Sequence, residues 1–168
     1  MQKRTSRLLL LVITLCFLIT SCDSKVVFDV YKSVPSKWHK DSVASFNFKA
    51  PDAIKNYDLY LQLRNTNDYK FNNLFLIVEL NYPNGKVVKD TLEYKMAAPN
   101  GKLLGTGFSD LKENKLWYKG FKAPFKFIEE GDYTVNIQHA MRSNGEVNGI
   151  VNLEGITDIG FRVEQAQK

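Results

Sequence analysis

The chain has almost none of the residues that usually carry protein chemistry. Its 168 residues include two histidines and two cysteines. Both cysteines, Cys16 and Cys22, lie in the first 22 positions. No disulfide can therefore join two parts of the remaining chain, and its stability must come from packing. With two histidines and no later cysteine, no familiar His/Cys/Asp spacing for a metal appears; His39, in Trp38-His39-Lys40-Asp41, lacks a second ligand. No G-x-S-x-G, H-E-x-x-H or P-loop occurs. Carboxylate pairs such as Glu129 and Glu130 are not singled out, and Glu129-Glu130-Gly131-Asp132 reads as a turn before the strand that starts at Tyr133. No catalytic residue and no cofactor are expected. Beyond the first 21 residues there is no cluster of Lys or Arg, so a nucleic-acid partner has no electrostatic footprint.

What is present begins with "LLLLVITLCFLITSC", residues 8–22. The apolar run from Leu8 to Thr20 is 13 residues long. As a helix it reaches about 20 Å, short of a bilayer core of about 30 Å. Lys3, Arg4 and Arg7 precede it. A basic flank and a short apolar run are the layout of a signal peptide. The run ends Ile19-Thr20-Ser21-Cys22, which resembles the lipobox of bacterial lipoproteins. There the thiol is acylated, the chain is cut before the cysteine, and the new amine is acylated too. Residues 1–21 are thus expected to be a cleaved signal peptide and Cys22 a lipidation site. Removing 21 of 168 residues leaves 147, the size of one domain. Removing three basic residues from a net charge of +5 leaves +2.

Residues 22–37 read as a lipidated tether leading into a first edge strand, and residues 38–168 as the domain. Period-two alternation dominates the latter. Phe46 and Phe48 share a face, as do Leu59, Leu61 and Leu63, opposite Tyr60, Gln62 and Arg64. The same holds for Leu74, Leu76, Val78 and Leu80, for Tyr133, Val135, Ile137 and His139, and for Ile159, Phe161 and Val163. No helix of ten residues is expected. The pattern predicts an all-β fold of roughly eight strands, an antiparallel β-sandwich of jelly-roll or immunoglobulin-like type. Phe46, Phe48, Leu61, Leu76, Val78, Leu80, Leu92, Val135, Ile137 and Phe161 are its expected core.

One turn fixes a register. A two-residue Asn84-Gly85 hairpin would set Leu80 against Lys89 and Leu76 against Glu93. A three-residue loop, Pro83-Asn84-Gly85, instead faces Leu80 with Val88, Leu76 with Leu92 and Leu74 with Tyr94, and lets Glu79 meet Lys89 outside. A one-residue slip exchanges faces, so the apolar pattern selects the longer loop.

Two loops have unusual content. "RNTNDYKFNN" (Arg64 to Asn73) sets Tyr69 and Phe71 among amides, which suits a partner surface or rings capping the sandwich end. Arg142 to Gly155 is a polar, glycine-punctuated crossover. Tyr69, Phe71 and Arg142 are the candidate partner-binding residues. In "ENKLWYKGF", Trp117 and Tyr118 should place one ring in and one out. His139 reads as a buried histidine with one hydrogen-bond partner.

The stretches "FLIVELNYPNGKVVKDTLEYKMA", "GTGFSDLKENKLWYK" and "YTVNIQHAMRSNGEVNGIVNLEGITDIGFRVE" resemble the gliding-motility lipoprotein GldH family of the Bacteroidota. The resemblance runs from Cys22 nearly to the C-terminus. It implies an outer-membrane lipoprotein required for gliding in species that glide, grouped with envelope machinery that also involves type IX secretion. Members also occur in species that do not glide. It carries over no catalytic or ligand residue. The expected function is a non-catalytic structural or assembly component of that machinery, partnered with the membrane through Cys22 and with other envelope proteins. Asp23-Ser24-Lys25 forms no acidic cluster, which favours the periplasmic side of the outer membrane over the cell surface. A second reading is a glycan-binding surface lipoprotein, which would require at least two of Trp38, Tyr69, Trp117 and Tyr118 exposed on one face.

Overall fold

A computed structural model describes residues 25–35, 37–107 and 109–167. The expected signal peptide and Cys22 lie outside the described residues. Ten strands follow one another: β1 (Val26–Ser33), β2 (Lys37–His39), β3 (Ala44–Lys49), β4 (Tyr57–Asn65), β5 (Asn73–Asn81), β6 (Val87–Lys95), β7 (Lys112–Lys119), β8 (Asp132–His139), β9 (Asn152–Glu154) and β10 (Ile156–Gln165). Among the described residues there is no helix. Two four-stranded antiparallel sheets face each other, one ordered β1-β10-β4-β7 and the other β3-β8-β5-β6; β2 and β9 form a short third ladder.

The pairings nest about a single tip. β5 pairs with β6, β4 with β7, β3 with β8, β2 with β9 and β1 with β10. The chain is therefore one long antiparallel ribbon, folded back at the β5–β6 hairpin and rolled until β10 meets β4 and β8 meets β5. That is the double-sheet jelly roll, and it decides against the immunoglobulin-like alternative.

The tip follows the three-residue reading. Leu80 pairs with Val88, Leu76 with Leu92 and Leu74 with Tyr94. Tyr82 N–H donates to Lys86 O at 2.8 Å and Gly85 N–H to Tyr82 O at 3.0 Å. Gly85 has φ +86°, the left-handed position that a side chain resists. Lys89 Nζ lies 2.7 Å from Glu79 Oε1 on the outer face. The turn before β8 is more than solvated, since the Glu129 carboxylate accepts from Asn84 Nδ2 at 2.7 Å and from its backbone N–H at 3.3 Å.

Nine of the ten expected core residues are buried. Leu92 is half-buried because β6 is a sheet edge. Rings fill one end of the core: Phe127 meets Phe48, Tyr57 and Tyr133 edge-on at 5.5, 5.4 and 5.0 Å between centroids. The two open seams between the sheets are closed by side chains. Phe28 of β1 packs on Phe48 of β3 at 5.1 Å. At the other seam Tyr94 Oη donates to Trp117 O at 2.6 Å, and Asp90 accepts from Tyr118 Oη at 2.9 Å and Lys119 Nζ at 2.8 Å.

Truncating the central ladder should cost far more than truncating its edge. Leu76→Ala is expected to lose about 2–5 kcal/mol of unfolding free energy, since the side chain is fully enclosed. Leu92→Ala, half-buried, should lose clearly less. Urea unfolding of the two variants at equal m-value checks this, and equal losses would contradict the packing described.

Candidate functional site

Three regions hold polar and aromatic groups that packing alone does not use up. The first is the end of the sandwich beyond the start of β5 and the end of β8. There the two loops singled out from sequence do meet. Thr66 N–H donates to Gly155 O at 2.8 Å. The expected partner residues nevertheless separate. Tyr69 is 2% exposed; its Oη donates to Asn73 O at 2.6 Å and its N–H to Thr66 O at 3.2 Å. Its ring caps the core, so it offers no surface to a partner. Phe71 packs edge-on against it at 5.8 Å and is half-buried. It lines an open cleft of about 480 Å³ with Lys70, Lys102, Leu103 and Lys112. Arg142 is exposed at the base of a small hairpin closed by its bridge to Gly149, whose returning arm carries Val147, 85% exposed. The crossover from Arg142 to Gly155 is thus more ordered than a loop, since it also contains β9.

The second region is the outer face of the β1-β10-β4-β7 sheet, where the sequence pattern set Tyr60, Gln62 and Arg64 opposite the leucines of β4. Tyr60 and Gln62, on the outward side of β4, are 7% and 6% exposed. Long neighbours cover them. Arg64 lies 4.1 Å over the Tyr31 ring, and Lys115 4.0 Å over Tyr60. Arg162 bonds both Asp29 and Glu164, and Glu164 also takes Lys115 Nζ at 2.7 Å. Tyr31 Oη donates to Glu113. Gly160 makes room for this, because a Cβ there would stand 2.9 Å from Tyr31 Cδ1 and 3.0 Å from Gln62 Cβ. The sequence signal was that glycine inside a strand, which marks a close approach of neighbouring groups. Burial, then the Glu113 bond, push the Tyr31 hydroxyl up, and burial with Asp58 pushes Tyr60 up to about 12. Both shifts favour the protonated phenol.

The third region is the opposite end, where Trp117 is 40% exposed and Phe121 71% exposed, 5.3 Å apart. Tyr118 turns inward, as the pairing of one ring in and one out requires. Of the four rings from which a glycan platform would need at least two exposed on one face, Trp38 and Tyr69 are buried and Tyr118 is half-buried, which leaves Trp117.

A family model described as GldH lipoprotein matches residues 26–163, from the first residue of β1 into β10. The chain belongs to the GldH lipoprotein family. It is 52% identical over 165 residues to the gliding motility lipoprotein GldH of Flavobacterium johnsoniae, covering 98% of this chain and 99% of that one. It is 55% identical over 149 residues to the GldH homolog of Christiangramia forsetii, covering 89% and 90%. Among solved structures, a particle of infectious bursal disease virus (Gx strain) aligns with 86% of this chain at 16% identity and a TM-score of 0.36. This chain spans 33% of that viral chain. These relatives are lipoproteins by name, and the family this chain belongs to is a lipoprotein family.

His139 sits where its face requires. It is 2% exposed, its Nε2 donates to Trp38 O at 3.0 Å, and its ring stands edge-on to Trp38 at 5.2 Å. Nδ1 is buried without a partner. Burial holds the imidazole below its ordinary value; the Trp38 bond opposes this, His39 adds to it and Asp41 opposes it.

Two outcomes follow from these placements. Tyr69→Ala should cost about 3–5 kcal/mol in urea unfolding, as for a large buried ring, while Arg142→Ala stays within about 0.5 kcal/mol. Folded His139 stays neutral where the unfolded chain binds a proton, so its contribution is complete above about pH 6.5, declines as pH falls below that value and levels once the folded imidazole itself titrates. His139→Gln should flatten that part of the stability profile; an unchanged slope would contradict the buried neutral assignment.

Proposed function

We propose that this GldH lipoprotein is a non-catalytic, lipid-anchored component of the gliding-motility and type IX secretion envelope machinery, acting by contact with other envelope proteins. The anchor is Cys22, and the favoured location is the periplasmic side of the outer membrane. What carries the reading is the combination of family membership with a sandwich whose interior is filled and whose charged groups on the β1-β10-β4-β7 face pair with one another. Function then rests on loops and ends, as is usual for rigid β scaffolds.

The partner-contact region proposed is the end that holds Phe71 and Arg142. Tyr69 supports it from below as a positioning residue. Phe71 beside Lys70 and Lys102 offers an apolar wall flanked by cations, which suits a partner segment with an apolar side chain next to a carboxylate. Lys112 is engaged with Ser109 O at 3.2 Å and shapes the cleft. An anchored protein meets its partner at high effective concentration, so modest affinity suffices.

Crosslinked pull-down of the acylated protein from its own envelope tests both halves. Cys22→Ala should leave an unprocessed precursor or a soluble form. Lys102→Glu with Arg142→Glu, both exposed, should reduce recovery of the partner while the unfolding midpoint stays put. Undiminished recovery would place the contact elsewhere.

A further inference from the structure

The fold begins very close to the anchor. Lys25 is already part of it, since its carbonyl accepts from Gln165 N–H at 2.8 Å, and β1 starts at the next residue. Between Cys22 and Lys25 the chain advances three residues, a reach of about 10 Å at full extension. A nine-residue strand such as β4 is about 30 Å long. Whatever holds Cys22 at a bilayer therefore holds one particular end of the sandwich within a third of a strand length of it.

That end has a distinctive surface. It is built by Lys25, by the loop between β3 and β4, by the loop between β7 and β8, and by Gln165 to Gln167. Ala166 N–H donates to Asn56 O at 2.9 Å, and Tyr57 N–H to Phe125 O at 2.9 Å, so these segments are tied together. Ile54 shares an open cleft of about 710 Å³ with Lys25, Lys55, Asn56 and Gln165. Ile54 is 83% exposed, Phe121 71% and Ile128 72%, three large apolar side chains that the core does not use. Each has a lysine one or two positions away: Lys55, Lys122 and Lys126. Trp117 stands against Phe121 on the sheet side. Exposed apolar rings and aliphatics interleaved with lysines are what the interfacial zone of a bilayer accepts, with the lysine heads reaching back to the headgroups.

We propose that this end rests on the bilayer, with Ile54, Phe121 and Ile128 inserted at the headgroup–acyl boundary, so that the Phe71 and Arg142 end points away from the membrane. The proposal rests on acylation of Cys22. Asp52, Glu129 and Glu130 border the same end. They oppose attraction to anionic lipid, so the contact is apolar and indifferent to lipid charge.

The test uses the acylated protein reconstituted in phosphatidylcholine vesicles. Acylation makes the Cys22 sulfur a thioether, and Cys16 leaves with the signal peptide, so an introduced cysteine is the one free thiol. Spin labels at Ile54→Cys, Phe121→Cys, Ile128→Cys and, on the opposite end, Val147→Cys disturb only exposed positions. The first three should lose accessibility to a water-soluble nickel chelate and gain accessibility to oxygen, while Val147→Cys stays fully aqueous. Replacing a third of the phosphatidylcholine with phosphatidylglycerol should leave this pattern unchanged. Four equally aqueous labels on an acylated protein would overturn the docking and leave the anchor standing. A membrane-shielded Val147→Cys would overturn the orientation. An intact mass showing no lipid on Cys22 would overturn anchor and docking together.

Discussion

The register of the β5–β6 hairpin constrains every other pairing in the molecule. Pro83-Asn84-Gly85 sets Leu80 against Val88, and each further strand pair is stacked outward from that tip. With β5 held in place, a one-residue slip would turn Val88 and Leu92 to solvent and set Lys89 and Glu93 on the buried face opposite Leu80 and Leu76. Nesting also addresses an entropic difficulty. The outermost pair joins Val30 to Phe161, which on an open chain is a costly loop to close. Once the inner pairs exist, the same closure spans only the connections left between successive strands, the longest of which, residues 96–111, has 16 residues. The fold is non-local in sequence yet can zip from one place, although it remains among the slower topologies.

Where one face is buried and the other wet, the sequence is readable. β5 and β8 alternate without exception, so their core residues and the hairpin register could be derived from apolar spacing alone. Pairing order was not accessible in this way, because alternation says which face is inward and not which strand lies alongside. The choice between jelly roll and immunoglobulin-like sandwich needed that order. β4 hides another limit. Its outward Tyr60 and Gln62 look solvent-facing by period, and only the cross-strand neighbours Lys115, Trp117 and Arg162 bury them. The three-residue strands β2 and β9 are too short to show a period at all.

The candidate site was legible in place and not in detail. The loops from Arg64 to Asn73 and from Arg142 to Gly155 stood out by composition, and they do share one end. Composition could not separate Tyr69 from Phe71, two aromatics one residue apart in the same amide-rich loop. What separates them is the turn from Thr66 to Tyr69, docked under Gly155, which drives one ring into the core and leaves the other at its rim.

The two ends of the sandwich then differ for a physical reason. A polypeptide tether longer than the body would let a lipoprotein tumble and present any face to a partner. Here the interval between the expected acylation site and the first hydrogen bond of the fold is three residues, so the body inherits an orientation from its anchor. The β1-β10-β4-β7 face, with Arg162, Glu164, Lys115 and Asp29 mutually paired, is expensive to strip of water and stays in contact with it. The most exposed large apolar side chains, Ile54, Phe121, Ile128 and Val147, are divided between the ends. In the proposed docking those beside Lys25 reach the bilayer, and Val147 with the Phe71 rim does not. On the proposed docking, a rigid spacer of one strand length separates the lipid from the proposed partner-contact end, and the three-residue interval to the expected acylation site is what keeps that separation nearly constant.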